Sequence, residues 1–258
     1  MEKETQDKDC EMLRKLALSH FKERRAARRW NIFFRLLTFA FVGAVLWFMW
    51  KPVQVEQFAE DHTALVELNG MIAEGTDASA TVINELLSDA FSDRHAKGVI
   101  LKINSPGGTP VQAARINAEM IRLREKYPDK PLHVVISDVC ASGGYYVAAA
   151  ADQVFANEAS MVGSIGVRLD SFGVMGAMEK LGVESRTITA GEHKALLDPF
   201  APQSAEQRIH LQGMLDDVHQ QFIGAVKAGR GERLADNPDL FSGLVWSGQQ
   251  AKNLGLVD

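Results

Sequence analysis

A serine followed by two glycines, Ser142, Gly143 and Gly144, stands where a predicted strand turns into a predicted helix. At such a turn the hydroxyl is exposed, and the first backbone N–H groups of the helix have no acceptor within it. A side chain placed in this way can act as a nucleophile that attacks a carbonyl carbon. The alternative is a serine that caps the helix, with glycines that let helix and sheet pack closely.

A second glycine pair, Gly107 and Gly108, follows another predicted strand and is preceded by Pro106. The proline fixes the turn and removes one N–H group, while the glycines let the backbone approach a ligand closely. Backbone N–H groups in such a loop can form an oxyanion hole, which stabilises the negative charge that develops on a carbonyl oxygen. The alternative is a tight turn between a strand and a helix.

A serine nucleophile needs a base, and a lysine is a stronger candidate here than any histidine. His133 lies in a predicted strand, and His210 and His219 lie on a helix face, none of them in a setting typical of a triad. Lys194 is followed by the apolar residues 195–197. An amine in apolar surroundings has a lowered pKa and can serve as a base when it is neutral. The alternative is an ordinary lysine in contact with water.

The elements that must position these residues alternate between strands and helices. Residues 63–69, 98–104, 132–137, 153–156, 183–189 and 244–246 read as strands, and residues 77–93, 111–127, 142–151, 172–181 and 205–227 read as helices. This alternation predicts an α/β domain with parallel strands. Both glycine pairs then lie at the carboxyl ends of strands, where such sheets hold their sites.

An apolar run of 21 residues, 30–50, precedes this domain. As a helix it spans about 31 Å, which matches the hydrocarbon core of a bilayer. Seven bases and one acid lie between Met12 and Trp30, so the N-terminus is predicted to face the cytoplasm. We therefore expect four parts: a basic cytoplasmic segment (1–29), a transmembrane helix in contact with membrane lipid (30–50), a linker (51–62) and a domain outside the bacterial inner membrane (63–258). The alternative for residues 30–50 is a buried core helix.

The composition excludes several classes of protein. The chain is 46% hydrophobic and 24% charged, which is typical of a globular protein and not of a disordered one. Two cysteines exclude a disulfide-built scaffold and a four-cysteine zinc site. The net charge of -5 argues against general nucleic-acid binding. The sequence contains neither an HExxH motif nor a P-loop, so we expect no metal and no cofactor.

Four motifs occur in the order seen in the signal peptide peptidase A family, which this sequence resembles. They are INSPGG (103–108), ASGGYY (141–146), GSIGV (163–167) and the region around Lys194. The resemblance covers about residues 63–257. It implies the ClpP/crotonase fold of repeated strand-strand-helix units.

The same resemblance implies a role for each candidate residue. Ser142 matches the nucleophile, Lys194 the general base, and Ser164 the hydroxyl that holds the lysine amine in place. Gly108 and Gly143 match the backbone donors of the oxyanion hole. The resemblance also implies a homo-oligomer in which neighbouring protomers contribute the serine and the lysine of one site.

These inferences predict a membrane-anchored serine endopeptidase that hydrolyses short or unfolded apolar peptides, such as remnant signal peptides. One alternative is a non-catalytic, membrane-tethered scaffold of the same fold that binds peptides. Another is hydration or isomerisation of acyl-CoA, since oxyanion holes also stabilise thioester enolates. A location outside the cytoplasm, where coenzyme A is absent, argues against that reaction.

Overall fold

The computed structural model describes residues 30, 32–47 and 60–258 of the 258-residue chain. The chain divides into two compact units, residues 1–57 and 58–258. In the first unit, residues 32–47 are helical and their side chains are exposed. No helix among the described residues combines the length and the apolarity needed to cross a bilayer. The predicted basic segment (1–29), residues 31 and 48–50 of the predicted transmembrane helix, and most of the predicted linker (51–59) lie outside the described residues.

The second unit alternates strands with helices. Its strands are β1 (His62–Asn69), β2 (Ala96–Ser105), β3 (Leu132–Ala141), β4 (Gln153–Ala156), β5 (Met161–Gly163) and β6 (Val245–Ser247). Its helices are α1 (Ala80–Ser92), α2 (Pro110–Lys126), α3 (Gly143–Ala148), α4 (Met175–Leu181), α5 (Ala205–Arg230) and α6 (Gly248–Asn253), with a 3-10 turn at Gly231–Arg233.

The six strands form one sheet in the order β1-β2-β3-β5-β6, and β4 also pairs with β3. Residues 133–136 of β3 pair with β4, and residues 139–141 pair with β5. Every pair is parallel except β5–β6, which is antiparallel. The prediction of an α/β fold with parallel strands is confirmed. The antiparallel direction of β6 was not predicted, because a strand of three residues carries no sequence signal for its direction.

The core lies between the sheet and the helices that cover one of its faces. Side chains alternate between buried and more exposed along β2 and along the first part of β3, as expected for strands with one covered face. Helices α1 and α2 bury apolar residues at helical spacing: Ile83, Leu87 and Phe91 in α1, and Ile116, Met120 and Leu123 in α2. Each large apolar side chain buried in this way contributes about 1.5–3 kcal/mol. The loops at the carboxyl ends of the strands are therefore supported by a well-packed layer.

The predicted strand at residues 183–189 is wrong. These residues form neither a strand nor a helix, and all of them are exposed, Ile188 at 96%. Residues with a high β propensity form a strand only where another strand pairs with them and their side chains pack. No described strand pairs with this segment. Several element bounds also differ: β3 continues to Ala141, α1 begins only at Ala80, α3 ends already at Ala148, and α4 begins only at Met175.

Candidate active site

Ser142 occupies the turn between β3 and α3 in a backbone conformation that is rare for a residue with a side chain. Its φ is 51° and its ψ is -124°. Such a conformation costs about 1–3 kcal/mol and persists only where the surrounding structure imposes it. Here β3 is paired on both sides, and the Ser142 N–H donates to the Gly163 carbonyl oxygen at 2.8 Å. The sheet therefore holds the serine at a sharp strand-to-helix turn.

Ser164 follows β5 just as Ser142 follows β3. Ala141 and Gly163 are partners in the parallel β3–β5 pair, so the two serines leave neighbouring strands at the same edge. Backbones of paired strands lie about 5 Å apart. Ser164 also has a φ of 51°, and its N–H donates to the Leu244 carbonyl oxygen at 2.8 Å. The register of this strand pair thus brings together two of the predicted site residues.

Gly108 and Gly143 place their backbones in contact. A Cβ atom built on Gly143 would lie 3.2 Å from the Gly108 nitrogen. Gly143 is the first residue of α3, so its N–H has no acceptor within the helix. Ile72 bonds to the residues on either side of Gly108: its N–H donates to Gly107, and its carbonyl accepts from Thr109. The Gly108 N–H therefore points away from Ile72, and both amides can serve a developing oxyanion.

Glycine is required at both positions of the Gly107-Gly108 pair. A Cβ atom on Gly108 would lie 2.0 Å from the Ile72 carbonyl oxygen. Gly107 has a φ of 102°, and a Cβ atom there would lie 2.7 Å from the Gly143 nitrogen. The close approach of these three backbones explains the need for glycine that the sequence indicated.

Four of the five predicted site residues line one cleft of about 570 Å³: Ser142, Ser164, Gly108 and Gly143. The walls of this cleft combine apolar side chains, among them Met71, Tyr146, Val218 and Phe222, with polar ones that include Arg168 and Ser242. A cleft that joins apolar side chains to convergent polar groups is typical of a ligand site.

Helix α5 contributes two of these wall residues, Val218 and Phe222, which were not identified from the sequence. The Phe222 ring packs on the Tyr146 ring of α3, with ring centroids 4.9 Å apart. Val218 and Phe222 are four residues apart and therefore lie on one face of the helix. This spacing was visible in the sequence, but the cleft that the face adjoins was not.

Two buried contacts hold α3 behind Ser142. The Tyr145 hydroxyl donates to the Leu256 carbonyl oxygen at 2.7 Å, and burial raises the pKa of Tyr145, so the hydroxyl stays protonated. The Asn117 side-chain amide donates to the Tyr146 carbonyl oxygen at 2.8 Å. These two hydrogen bonds hold the strand-to-helix turn at Ser142, which we call the α3 elbow.

Cys140 lies two residues before Ser142 but does not compete with it as a nucleophile. Its side chain is fully buried in the core. Burial raises the pKa of this thiol well above its ordinary value. Because the thiolate is the reactive form, we regard Cys140 as a packing residue.

Lys194 lies outside this cleft. The residue is exposed, in a run of turns at residues 192–197, and it is not among the residues that line the cleft. Its N–H donates to the Gly191 carbonyl oxygen at 3.1 Å. Its neighbours Ala195 and Leu197 line a second cavity of about 340 Å³. A single chain therefore assembles the predicted nucleophile, the second serine and the oxyanion amides, but not the predicted base.

Residues 124–258, just over half of the chain, match the family described as Peptidase family S49. The chain belongs to peptidase family S49. The matched region contains Ser142, Ser164 and Lys194, whereas Gly108 precedes it. Membership of the S49 family confirms the resemblance to signal peptide peptidase A.

Several curated proteins are similar to this S49 chain. The Na(+)/H(+) antiporter NhaA of Brucella melitensis is 43% identical over 204 residues, which are 77% of this chain and 28% of that protein. "Putative protease slr0021" of Synechocystis is 34% identical over 76% of this chain and 68% of its own length. "Serine protease SPPA, chloroplastic" of Arabidopsis thaliana is 30% identical over 77% of this chain and 30% of its own length. The chain thus spans less than a third of the Brucella and Arabidopsis proteins.

Proposed function

We propose that this S49 peptidase chain is a membrane-anchored serine endopeptidase that uses a Ser142/Lys194 dyad. The observation that carries the proposal is the position of Ser142, at a strained turn in a cleft beside the amides of Gly108 and Gly143. A hydroxyl beside two available amides meets the needs of attack on a peptide carbonyl. We assign the parallel sheet and its covering helices to the ClpP/crotonase fold.

The reaction follows from the chemistry of these groups. Neutral Lys194 accepts the proton of Ser142 Oγ as Oγ bonds to the peptide carbonyl carbon. The oxygen of that carbonyl becomes an oxyanion, and an amide donor that stabilises it contributes about 3–4 kcal/mol. Protonated Lys194 then donates to the leaving amine as the C–N bond breaks. Finally, water attacks the acyl-enzyme and loses a proton to Lys194, and Lys194 returns a proton to Ser142 Oγ as the ester C–O bond breaks.

Because Lys194 is exposed in the single chain, we propose that each cleft receives the lysine of a neighbouring subunit in a homo-oligomer. The segment that precedes Lys194 in the chain exposes large apolar side chains, with Phe172 80% exposed, Leu181 77% and Ile188 96%. An apolar surface of this kind is typical of a protein–protein contact. Contact with a neighbour would also surround the amine with apolar groups, which favours its neutral form.

The proposed substrates are short or unfolded apolar peptides, such as remnant signal peptides. The apolar side chains in the cleft, such as Met71, Val218 and Phe222, support this choice. We propose that residues 30–50 anchor the chain in membrane lipid, with the N-terminus in the cytoplasm and the catalytic unit outside it. Peptides that leave the bilayer would then reach the cleft directly.

Peptide hydrolysis by the full chain in detergent tests the dyad. We expect Ser142→Ala and Lys194→Ala each to lower kcat by about 10³-fold or more, because each removes a group that takes part in bond making. Ser88→Ala in α1 and Lys97→Ala at the exposed start of β2 serve as matched controls and should leave kcat unchanged. Wild-type turnover by Lys194→Ala would refute the dyad.

One observation favours the alternative of a non-catalytic peptide-binding scaffold, namely that Lys194 is exposed and does not line the cleft of its own chain. The two functions differ in one measurement. A scaffold binds the apolar peptide with equal affinity in the wild type and in Ser142→Ala, and neither protein hydrolyses it.

A further inference from the structure

We infer that His219 is a positioning residue for the loop that carries Ser164, an inference that rests on the proposed function. His219 lies in α5, half-buried, and its Nε2 is 3.1 Å from the carbonyl oxygen of Ile165. Ile165 directly follows Ser164 in the chain. Because a carbonyl oxygen only accepts hydrogen bonds, Nε2 carries the proton in this contact.

The loop after β5 needs such a donor. Residues 164–174 form no regular secondary structure, so their carbonyl groups have no ladder of partners. Ile165 is fully buried, and a buried carbonyl without a donor is unfavourable. At the preceding residue, the Ser164 N–H donates to the Leu244 carbonyl oxygen at 2.8 Å. Ser164 therefore has one backbone anchor at its own amide and a second, His219, at the next residue.

The same helix contacts the other half of the site. Phe222 lies three residues after His219, on the same side of α5, and its ring packs on Tyr146. Tyr146 belongs to α3 and follows Ser142 by four residues. Helix α5 therefore contacts both α3, which follows Ser142, and the loop that follows Ser164.

This geometry assigns His219 an action through the backbone and not as a base. Ser164 is the hydroxyl proposed to hold the amine of Lys194. Loss of the His219 contact should let the Ser164 loop shift, so that the amine is held in a less productive position. A misplacement of about 1 Å can lower the rate of a reaction about 100-fold. The affinity of the cleft for the peptide should change little when the His219 contact is lost.

Replacement of His219 by side chains that keep or lose the donor tests this inference. In the full chain, we expect His219→Leu and His219→Asn to lower kcat about 10- to 100-fold, with KM within about twofold of the wild type. His219→Gln presents an amide N–H at a similar reach, so it should retain most of kcat. His210→Leu is the matched control, because His210 is exposed on the same helix.

Hydrogen exchange of the 164–168 amides provides a readout that does not depend on activity. We expect exchange there to be about 10-fold faster or more in His219→Leu than in the wild type or His219→Gln. Equal exchange in all of these proteins would overturn the inference, as would equal losses of kcat in His219→Gln and His219→Leu. Absence of Ser142-dependent hydrolysis in the wild type would instead refute the proposed function, and the exchange rates would still decide whether His219 holds the loop.

Discussion

Ser142 and Ser164 share a backbone conformation that glycine adopts more easily than any other residue. Both have a φ of 51°, and both stand one residue beyond the end of a strand in the same parallel pair. The strand pairing imposes this conformation, and both serines line the cleft. At the scale of single residues, therefore, the strained backbone at the two serines of the proposed active site lowers the stability of the fold.

This strain is measurable by substitution at Ser142. We expect Ser142→Gly to be more stable than Ser142→Ala by about 1 kcal/mol, because glycine tolerates a positive φ. Ser88 in the interior of α1 is the control, where glycine should instead be less stable than alanine by about 1 kcal/mol. Chemical denaturation of the full chain, followed by circular dichroism, measures both differences. If Ser142→Ala proves the more stable of the two variants, the elbow is not strained.

At the scale of elements, the residues after α6 hold together several parts of the domain. Asp258 accepts from the Val154 N–H of β4 at 2.8 Å and pairs with Arg230 at the end of α5 at 2.8 Å. Arg230 has a fully buried side chain and also donates to the Gly255 carbonyl oxygen. The Leu256 carbonyl oxygen accepts the hydrogen bond from the Tyr145 hydroxyl of α3. The residues after α6 therefore support the helix that follows Ser142.

The Arg230–Asp258 contact makes the stability of the domain depend on pH. Burial by itself would raise the pKa of the Asp258 carboxyl. The Arg230 hydrogen bond, the Val154 N–H and the nearby arginine charges outweigh burial, so this pKa lies below its ordinary value. A carboxyl group with a lowered pKa stabilises the fold above its unfolded-state pKa of about 4, and this stabilisation is lost as the pH falls through the folded-state value.

We therefore expect Asp258→Asn to lower the free energy of unfolding by about 3 kcal/mol at pH 7, because it leaves the buried Arg230 without its counter-ion. The difference from the wild type should shrink as the pH falls from about 5 to below 3. Asp170→Asn, which breaks an exposed pair with Arg168, should cost less than about 1 kcal/mol at any pH. Denaturation of the full chain at a series of pH values measures these differences. If the difference in the free energy of unfolding between the wild type and Asp258→Asn stayed constant with pH, the lowered pKa of Asp258 would be contradicted.

At the scale of the whole molecule, one chain supplies the cleft but leaves the proposed base in water. Large apolar side chains in the segment that precedes Lys194 in the chain, such as Phe172 and Ile188, are exposed as well. A shared site in a ring-like oligomer would account for both observations, since a head-to-tail contact joins two different surfaces of neighbouring subunits.

Mixing two inactive variants tests whether the site is shared. We expect co-assembled Ser142→Ala and Lys194→Ala subunits to recover about a quarter of wild-type turnover, since random mixing gives about a quarter of clefts an intact serine and a neighbour's intact lysine. Separately purified variants that are never co-assembled provide the control. If co-assembled subunits stay as inactive as either variant alone, serine and lysine come from the same chain or the dyad is absent.

The sequence by itself determined the α/β alternation, the two glycine turns and the serine at the strand-to-helix junction. These features follow from local patterns: apolar periodicity sets strands and helices, and glycine marks positions where a side chain would collide, as at Gly108. The sequence motifs also identified the family.

Only the tertiary structure decided which of these residues meet. The β3–β5 register brings Ser164 beside Ser142, and the packing of α5 brings Phe222 and His219 to the site. Tertiary structure also left residues 183–189 without a partner strand and Lys194 outside the cleft. Each of these outcomes depends on contacts between residues far apart in the chain, and local propensity does not contain that information.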